Sequence, residues 1–230
     1  MSDTLQKLRE ANPALNILSV DAPEFARYGR VLEGYDATEM IARARAILPH
    51  SDGVVYEPSV PALEAPGVLN TALEQEVYGE MPVQVGWCYG QNLQMAGLEY
   101  HKGNEVNVCL TDVVLLVGHI EDVAYGEDAI TYETARVAAF YAPAGAVVEL
   151  PAWNLHFAPI HVRRTEVFAT LVYLPRGTNE PLSHRVEPEG ESRLLFAVNK
   201  WLIVHPEAAD LVSQGAYAGL VGPDIFVQPI

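Results

Sequence analysis

The chain has 230 residues, of which 50 % are apolar and 19 % charged, which suits one or at most two globular domains with a sizeable core and excludes disorder and collagen-like repeats. Lys and Arg total 14 against 30 Asp and Glu, so the formal charge is −16 and most of the surface repels a polyanion. Nucleic acid and anionic lipid are therefore disfavoured as partners, while the charge of a small-molecule substrate stays open.

Cys88 and Cys109 allow at most one internal disulfide, which a chain of this length does not need, so free thiols in a reducing cytoplasm are the simpler reading. The start, Met1-Ser2-Asp3-Thr4-Leu5-Gln6-Lys7, has no basic stretch followed by an apolar one, and no export signal is expected. Apolar runs such as Val113 to Val117 are far shorter than the ~20 residues of a membrane-crossing helix.

Taken in chain order, residues 1–50 read as helical and irregular. Asp36 followed by Glu39 is an acidic version of a capping box, Met40, Ile41, Ala44, Ile47 and Leu48 recur at helical spacing, and Pro49 ends the helix. Pro49, Pro58, Pro61, Pro66 and Pro82 then mark a stretch that should wrap over a core, because proline fixes the backbone and removes a donor. Residues 1–82 are expected to form an arm.

From Val83 the texture changes. Runs rich in Val, Leu, Ile, Tyr and Phe predict strands from Val83 to Tyr89, Asn107 to Leu110, Val113 to Val117, Arg136 to Tyr141, Ala146 to Leu150 and Glu166 to Leu174. Lys102-Gly103-Asn104, Gly126-Glu127-Asp128 and Pro143-Ala144-Gly145 supply turns between them, and no helical segment long enough for a parallel crossover intervenes. An antiparallel sandwich or barrel over residues 83–182 follows. In residues 183–230, Leu194, Leu195, Val198, Trp201 and Leu202 share a helical face, and a short helix from Pro206 to Val212 stops near Gly215, so a helical extension is expected there.

The chemistry-bearing residues gather in two stretches. In Glu99-Tyr100-His101-Lys102-Gly103-Asn104-Glu105, positions two apart on a strand share a face, so Glu99 and His101 point the same way and a turn at Gly103 brings Glu105 back beside them. Further along, the stretch from Gly145 to His156 uses a Gly turn, a short strand and the Pro151 bend to deliver one more imidazole. Glu99, His101, Glu105 and His156 would make an oxygen and nitrogen donor set that suits a divalent Mn, Fe, Ni or Zn at ~2.0–2.2 Å, with coordination positions open to substrate.

These two stretches resemble the cupin superfamily, whose first motif reads G-x5-H-x-H-x3,4-E-x6-G. His101-x3-Glu105 matches its second His and its Glu, Glu99 stands where the first His would be, and Leu93 and Asp112 occupy the Gly positions. Gly145-x5-Pro151 matches the start of the second motif, with Ile160 at that motif's Asn position. The segments from Leu174 to Asn179 and from Asn199 to Pro206 look like an uncharacterised bacterial cupin family associated with sugar catabolism. A looser likeness joins Glu99 to Glu105 and Trp153 to His156 with ureidoglycolate lyase, also a cupin-type barrel, with departures at Glu105 and between Trp153 and His156. The resemblance implies an all-β core built as a cupin-type double-stranded β-helix, or jelly-roll, barrel.

Two further residues are candidates for proton transfer. Lys102 could exchange a proton with a hydroxyl if partly buried, although a lysine in such a turn is ordinarily solvated. Glu149 alternates with Val148 and Leu150, so it faces either solvent or the interior, where it would be a general base. His50, His119, His161, His184 and His205 read as structural, and Trp87, Trp153 and Trp201 as packing. Together these residues lead to the expectation of a metal-dependent isomerase or epimerase acting on a sugar or sugar acid through an enediol. A ureidoglycolate-type lyase on a small hydroxy acid and a non-catalytic sugar-binding cupin are the alternatives, and a homodimer paired through the arm is expected.

Overall fold

The computed structural model describes residues 3–184 and 187–230. In the arm, helix α1 (Asp3–Ala11) turns Leu5 and Leu8 inward and carries Asp3 in its first turn and Arg9 in its last, matching the helix dipole. Strands β1 (Ile17–Ser19) and β2 (Arg30–Val31) follow, then α2 (Thr38–Ile47), which buries Met40 and Ala44. Asp36 accepts the Thr38 N–H at 2.9 Å, while Glu39 pairs with Arg43 instead of reaching back to close a capping box. Strand β3 (Val55–Glu57) and the short helices α3 (Pro61–Glu64) and α4 (Val68–Ala72) complete the arm.

The strand-rich region contains β4 (Val83–Gly90), β5 (Gly97–Tyr100), β6 (Glu105–Cys109), β7 (Val113–His119), β8 (Ala124–Tyr125), β9 (Ile130–Glu133), β10 (Ala138–Ala142), β11 (Val147–Leu150), β12 (Asn154–Leu155), β13 (Ile160–His161) and β14 (Phe168–Pro175). After it come β15 (Leu195–Ala197), β16 (Lys200–Val204), α5 (Ala209–Ser213), β17 (Tyr217–Ala218) and β18 (Leu220–Val221). One sheet has the order β2-β11-β6-β14-β4-β3; a second runs β1-β10-β7, with β12 and β13 both paired to β7. These two sheets face each other as a jelly-roll sandwich of cupin type, and their ladders do not join into one closed barrel among the described residues.

Alternation assigns each strand residue to a face. Cys88, Cys109, Val148, Leu150 and Val172 of the first sheet meet Val113, Leu115, Val117 and Phe140 of the second in the inner core. The opposite face of the first sheet, with Trp87, Val106, Val108, Val147 and Leu171, packs under Met40, Ala44, Leu63 and Leu69 of the arm. The outer face of the second sheet, with Val114, Leu116 and Ala139, lies under Leu5 and Leu8 of α1 and Ile203 of β16. Because both sheets are covered on both sides, their strands are mostly apolar on both faces, and the few polar residues they bury, such as Glu105, Asn107 and Glu149, are hydrogen-bonded.

The C-terminal segment departs from the expected helix. A 3-10 turn (Gly190–Leu194) leads into a hairpin of β15 and β16, and α5 is the short helix near the predicted one, ending before Gly215 at φ +97°. The apolar residues that share a helical face are also rich in β formers, and β16 finds a partner in β5 with the register Trp201↔Tyr100 and Leu202↔Glu99. The ladder satisfies their backbone groups, and tertiary pairing overrides the local period. Among the described residues, no helix is long and apolar enough to cross a membrane.

Candidate metal centre

Glu99 lies on β5, His101 follows its end, and Glu105 opens β6 after the Lys102-Gly103-Asn104 turn. His156 follows β12 and is tied to β5 by a reciprocal backbone bridge, Glu99 N–H to the His156 carbonyl at 2.6 Å and His156 N–H to the Glu99 carbonyl at 2.9 Å. The structure thus brings the two distant stretches together. His101 Nε2 lies 3.7 Å from Glu99 Oε1 and 3.5 Å from Glu105 Oε2, and His156 Nε2 lies 3.2 Å from the same Glu105 oxygen. All four residues are buried.

Neighbouring groups fix which way each side chain presents itself. His101 Nδ1 is 2.7 Å from the Asn199 carbonyl, which can only accept, so Nδ1 carries a hydrogen and Nε2 is aimed into the cluster. His156 Nδ1 is 3.1 Å from Asn154 Oδ1, and the Asn154 amide is itself oriented by donating to the Tyr28 carbonyl at 2.8 Å. Asn107 Nδ2 donates to Glu105 Oε1 at 2.8 Å and leaves Oε2 facing the imidazoles. Both Nε2 atoms are buried without a hydrogen-bond partner of acceptable geometry. An orphaned buried nitrogen is costly unless something ligates it, and one ligand atom each from Glu99, His101 and His156 falls within 4.8 Å of the others. The donor set fits a divalent cation.

Electrostatics point the same way. Burial opposes ionisation of Glu99, but the Lys200 ammonium and the two imidazoles outweigh it and hold the carboxyl down at about 2. Burial also disfavours the Glu105 carboxylate, yet His156 and His101 keep its pKa below the ordinary range. For His101, burial favours the neutral ring, but Glu105 and Glu99 prevail and raise it to about 9. Two ionised carboxylates therefore face the position a cation would take, and in its absence the His101 proton and the Lys200 ammonium balance them.

The two residues expected to move protons lie elsewhere. Lys102 is directed outward, its Nζ 2.6 Å from Glu191 and 4.4 Å from the centroid of the Trp201 ring, because His101 takes the inward position and the next side chain alternates away. Glu149 is buried, on neither of the expected courses: it shares a face with Val147, under the arm, where it pairs with Arg30 and accepts from Asn104 Nδ2 at 2.7 Å. The arm covers the face that alternation alone would have left to solvent, and Glu149 points away from the imidazoles.

A different lysine reaches the cluster. Lys200, at the start of β16, pairs with Glu99 Oε2, and its Nζ lies 5.6 Å from the centroid of Phe157. Neither Lys200 nor Asn199 gives a local signal in the sequence; their role depends on β16 pairing with β5. Asn107 and Asn154 could have been read from spacing, since each sits two residues from a cluster member on the same face. A cavity of about 30 Å³ adjoins the cluster, walled by Tyr56, Cys88, Leu115, Leu150, Phe157 and Pro159 among others.

Two facing sheets of jelly-roll order, with imidazoles and carboxylates buried between them, define a jelly-roll protein with a site able to hold a metal. The family model described as "Domain of unknown function (DUF4867)" matches residues 17–225, and the chain belongs to that family. No curated protein matches the sequence. Among solved structures, an oxalate decarboxylase is similar at 12 % identity and a TM-score of 0.31, over 56 % of this chain and 27 % of that one. Vicilin from Corylus avellana (hazelnut) aligns at 13 % identity and a TM-score of 0.30, over 43 % and 25 %. A mutant of Bacillus subtilis oxalate decarboxylase aligns at 14 % identity and a TM-score of 0.28, over 44 % and 24 %. The chain spans about a quarter of the length of these proteins.

Proposed function

We propose that the protein is a metal-dependent enzyme of cupin type that isomerises or epimerises a sugar or sugar acid by moving a proton on the carbon next to a carbonyl. The observation that carries this reading is the pair of buried imidazoles whose Nε2 atoms lack partners beside two ionised carboxylates. Glu99, His101, Glu105 and His156 would hold a divalent Mn, Fe, Ni or Zn. When bound, such an ion polarises a carbonyl and a neighbouring hydroxyl of the substrate. Asn199, Asn154 and Asn107 keep the donors oriented, so little reorganisation accompanies binding. Lys200, beside Glu99, is the cationic group at hand for an oxygen that gains negative charge. Two buried free thiols, Cys88 and Cys109, support a reducing, cytoplasmic setting.

A second reading, a lyase acting on a small hydroxy acid, draws on the same donor set, with the Lys200 ammonium beside Glu99 at hand for the carboxylate of the acid. Incubation with pentoses, hexoses, uronic acids and ureidoglycolate in deuterated water separates the two. Deuterium at the carbon next to the carbonyl without bond cleavage supports the isomerase, and cleavage supports the lyase. A metal-free preparation whose Tm rises with sugar would instead mark a binding protein and end both readings.

A further inference from the structure

The cavity beside the cluster is lined by Glu99, Glu105 and His156 together with the apolar Leu150, Phe157 and Pro159. Among the described residues, Lys200 is the Lys or Arg that ion-pairs with the cluster, and the ring of Phe157 lies next to its ammonium. Its side chain is only 15 % exposed, so the charge is largely withdrawn from water.

These positions fix a charge balance. The carboxylates of Glu99 and Glu105 offset a divalent ion, and ligating imidazoles are neutral. The Lys200 ammonium is then left over, so the loaded site carries one uncompensated positive charge in a buried setting. A buried charge without a counter-ion is costly, and an anionic oxygen donor entering the cavity removes that cost. A neutral sugar brings no charge. A carboxylate with an oxygen on the adjacent carbon brings one negative charge and chelates a divalent ion through both oxygens.

We propose that the ligand of this site is a monoanionic 2-hydroxy or 2-oxo acid and that Lys200 is the residue that selects its charge. This rests on the reading of the cluster as a divalent-metal site and narrows its substrate class. Lys200 has this role because β16 pairs with β5, Leu202 lying opposite Glu99, and the Lys200 ammonium two residues away ion-pairs with Glu99, while Lys102, adjacent to His101, is committed to Glu191.

The test uses the full chain loaded with Co2+, whose visible absorption reports changes in its ligands, titrated with glycolate and with its neutral amide, glycolamide. The expected result is a Kd for glycolate about tenfold or more below that for glycolamide, as a charge-assisted contact supplies. Lys200→Met should remove most of this preference, and Lys200→Arg should keep it. Equal Kd values for the two probes on the wild-type chain overturn the proposal without reference to any variant, as does an undiminished preference in Lys200→Met. If the chain takes up no Co2+, the metal reading falls and this inference with it; Co2+ uptake without discrimination sinks the inference alone.

Discussion

The Asn199 carbonyl, in a hairpin turn, accepts from His101 Nδ1 at 2.7 Å, while the Asn199 side chain accepts the Lys102 N–H at 2.8 Å and donates to Thr178 Oγ1 at 2.9 Å. One residue of the C-terminal hairpin therefore sets both the ring orientation of His101 and the start of the turn that returns the chain to Glu105. Its φ of +54° is a conformation that Asn and Gly tolerate and β-branched residues do not.

Asn199→Val should lower metal affinity by about 10–100-fold, as the loss of an orienting partner usually does, and should add about 1–3 kcal/mol of backbone strain. Asn199→Gly keeps the turn and the carbonyl, so its affinity should stay much closer to wild type. Titration calorimetry with Zn2+ on both variants distinguishes orientation of the ring from a general loss of packing.

His101→Ala and His156→Ala should each strip bound metal from the purified protein by about tenfold or more, since each removes a nitrogen donor. His205→Ala is the control: that imidazole is buried too, but its Nε2 is 2.9 Å from the Gly222 carbonyl, and metal content should not change. Metal analysis by mass spectrometry reads all three. Retention of wild-type metal content in the first two variants would eliminate the site.

The metal-free protein should have a stability maximum in mildly acidic solution. His101 is raised from 6.5 to about 9, so the stabilisation from its protonated ring is fully present below about 6.5 and is lost as pH climbs through 9. Glu99 is depressed from 4.5 to about 2, so its contribution is present above about 4.5 and fades as pH falls toward 2. Thermal melts in chelator should show Tm declining between about pH 6.5 and 9. Added divalent metal should flatten that decline, because the ion replaces the proton among the same carboxylates.

Glu149→Gln should cost stability and spare the metal. The carboxylate is buried against Asn104, while the Arg30 side chain is 67 % exposed and its ion pair is screened. Loss of the charged hydrogen bond to Asn104 is worth about 1–3 kcal/mol, whereas Arg30→Ala should cost less than about 1 kcal/mol. Urea titrations give these values. A Glu149→Gln protein that is stable but empty of metal would contradict the outward placement of this residue.

The legible parts of the fold are those written in local pattern. The β4, β7, β11 and β14 strands fall within a residue or two of the apolar runs that predict them, and α2 lies between Asp36 and Pro49 as spacing requires. The side-chain period of two likewise puts Glu99 and His101 on one face. The assignment of residues 192–204 to a helix fails because period alone does not report that β5 offers β16 a free edge. For Glu149 the alternation leaves solvent and interior both open, since nothing local says that the arm will cover its face of the sheet.

By itself, the sequence determined the all-β class, the β4, β7, β11 and β14 strands and the two stretches whose carboxylates and imidazoles converge, because side-chain alternation and turn chemistry act over a few residues. The tertiary structure decided that Lys200 rather than Lys102 serves the cluster, that Asn199 orients His101, and that Glu149 faces the arm. Those outcomes depend on which strand edge pairs with which and which sheet face is covered, and such long-range choices are settled by burial and hydrogen-bond satisfaction across the whole chain.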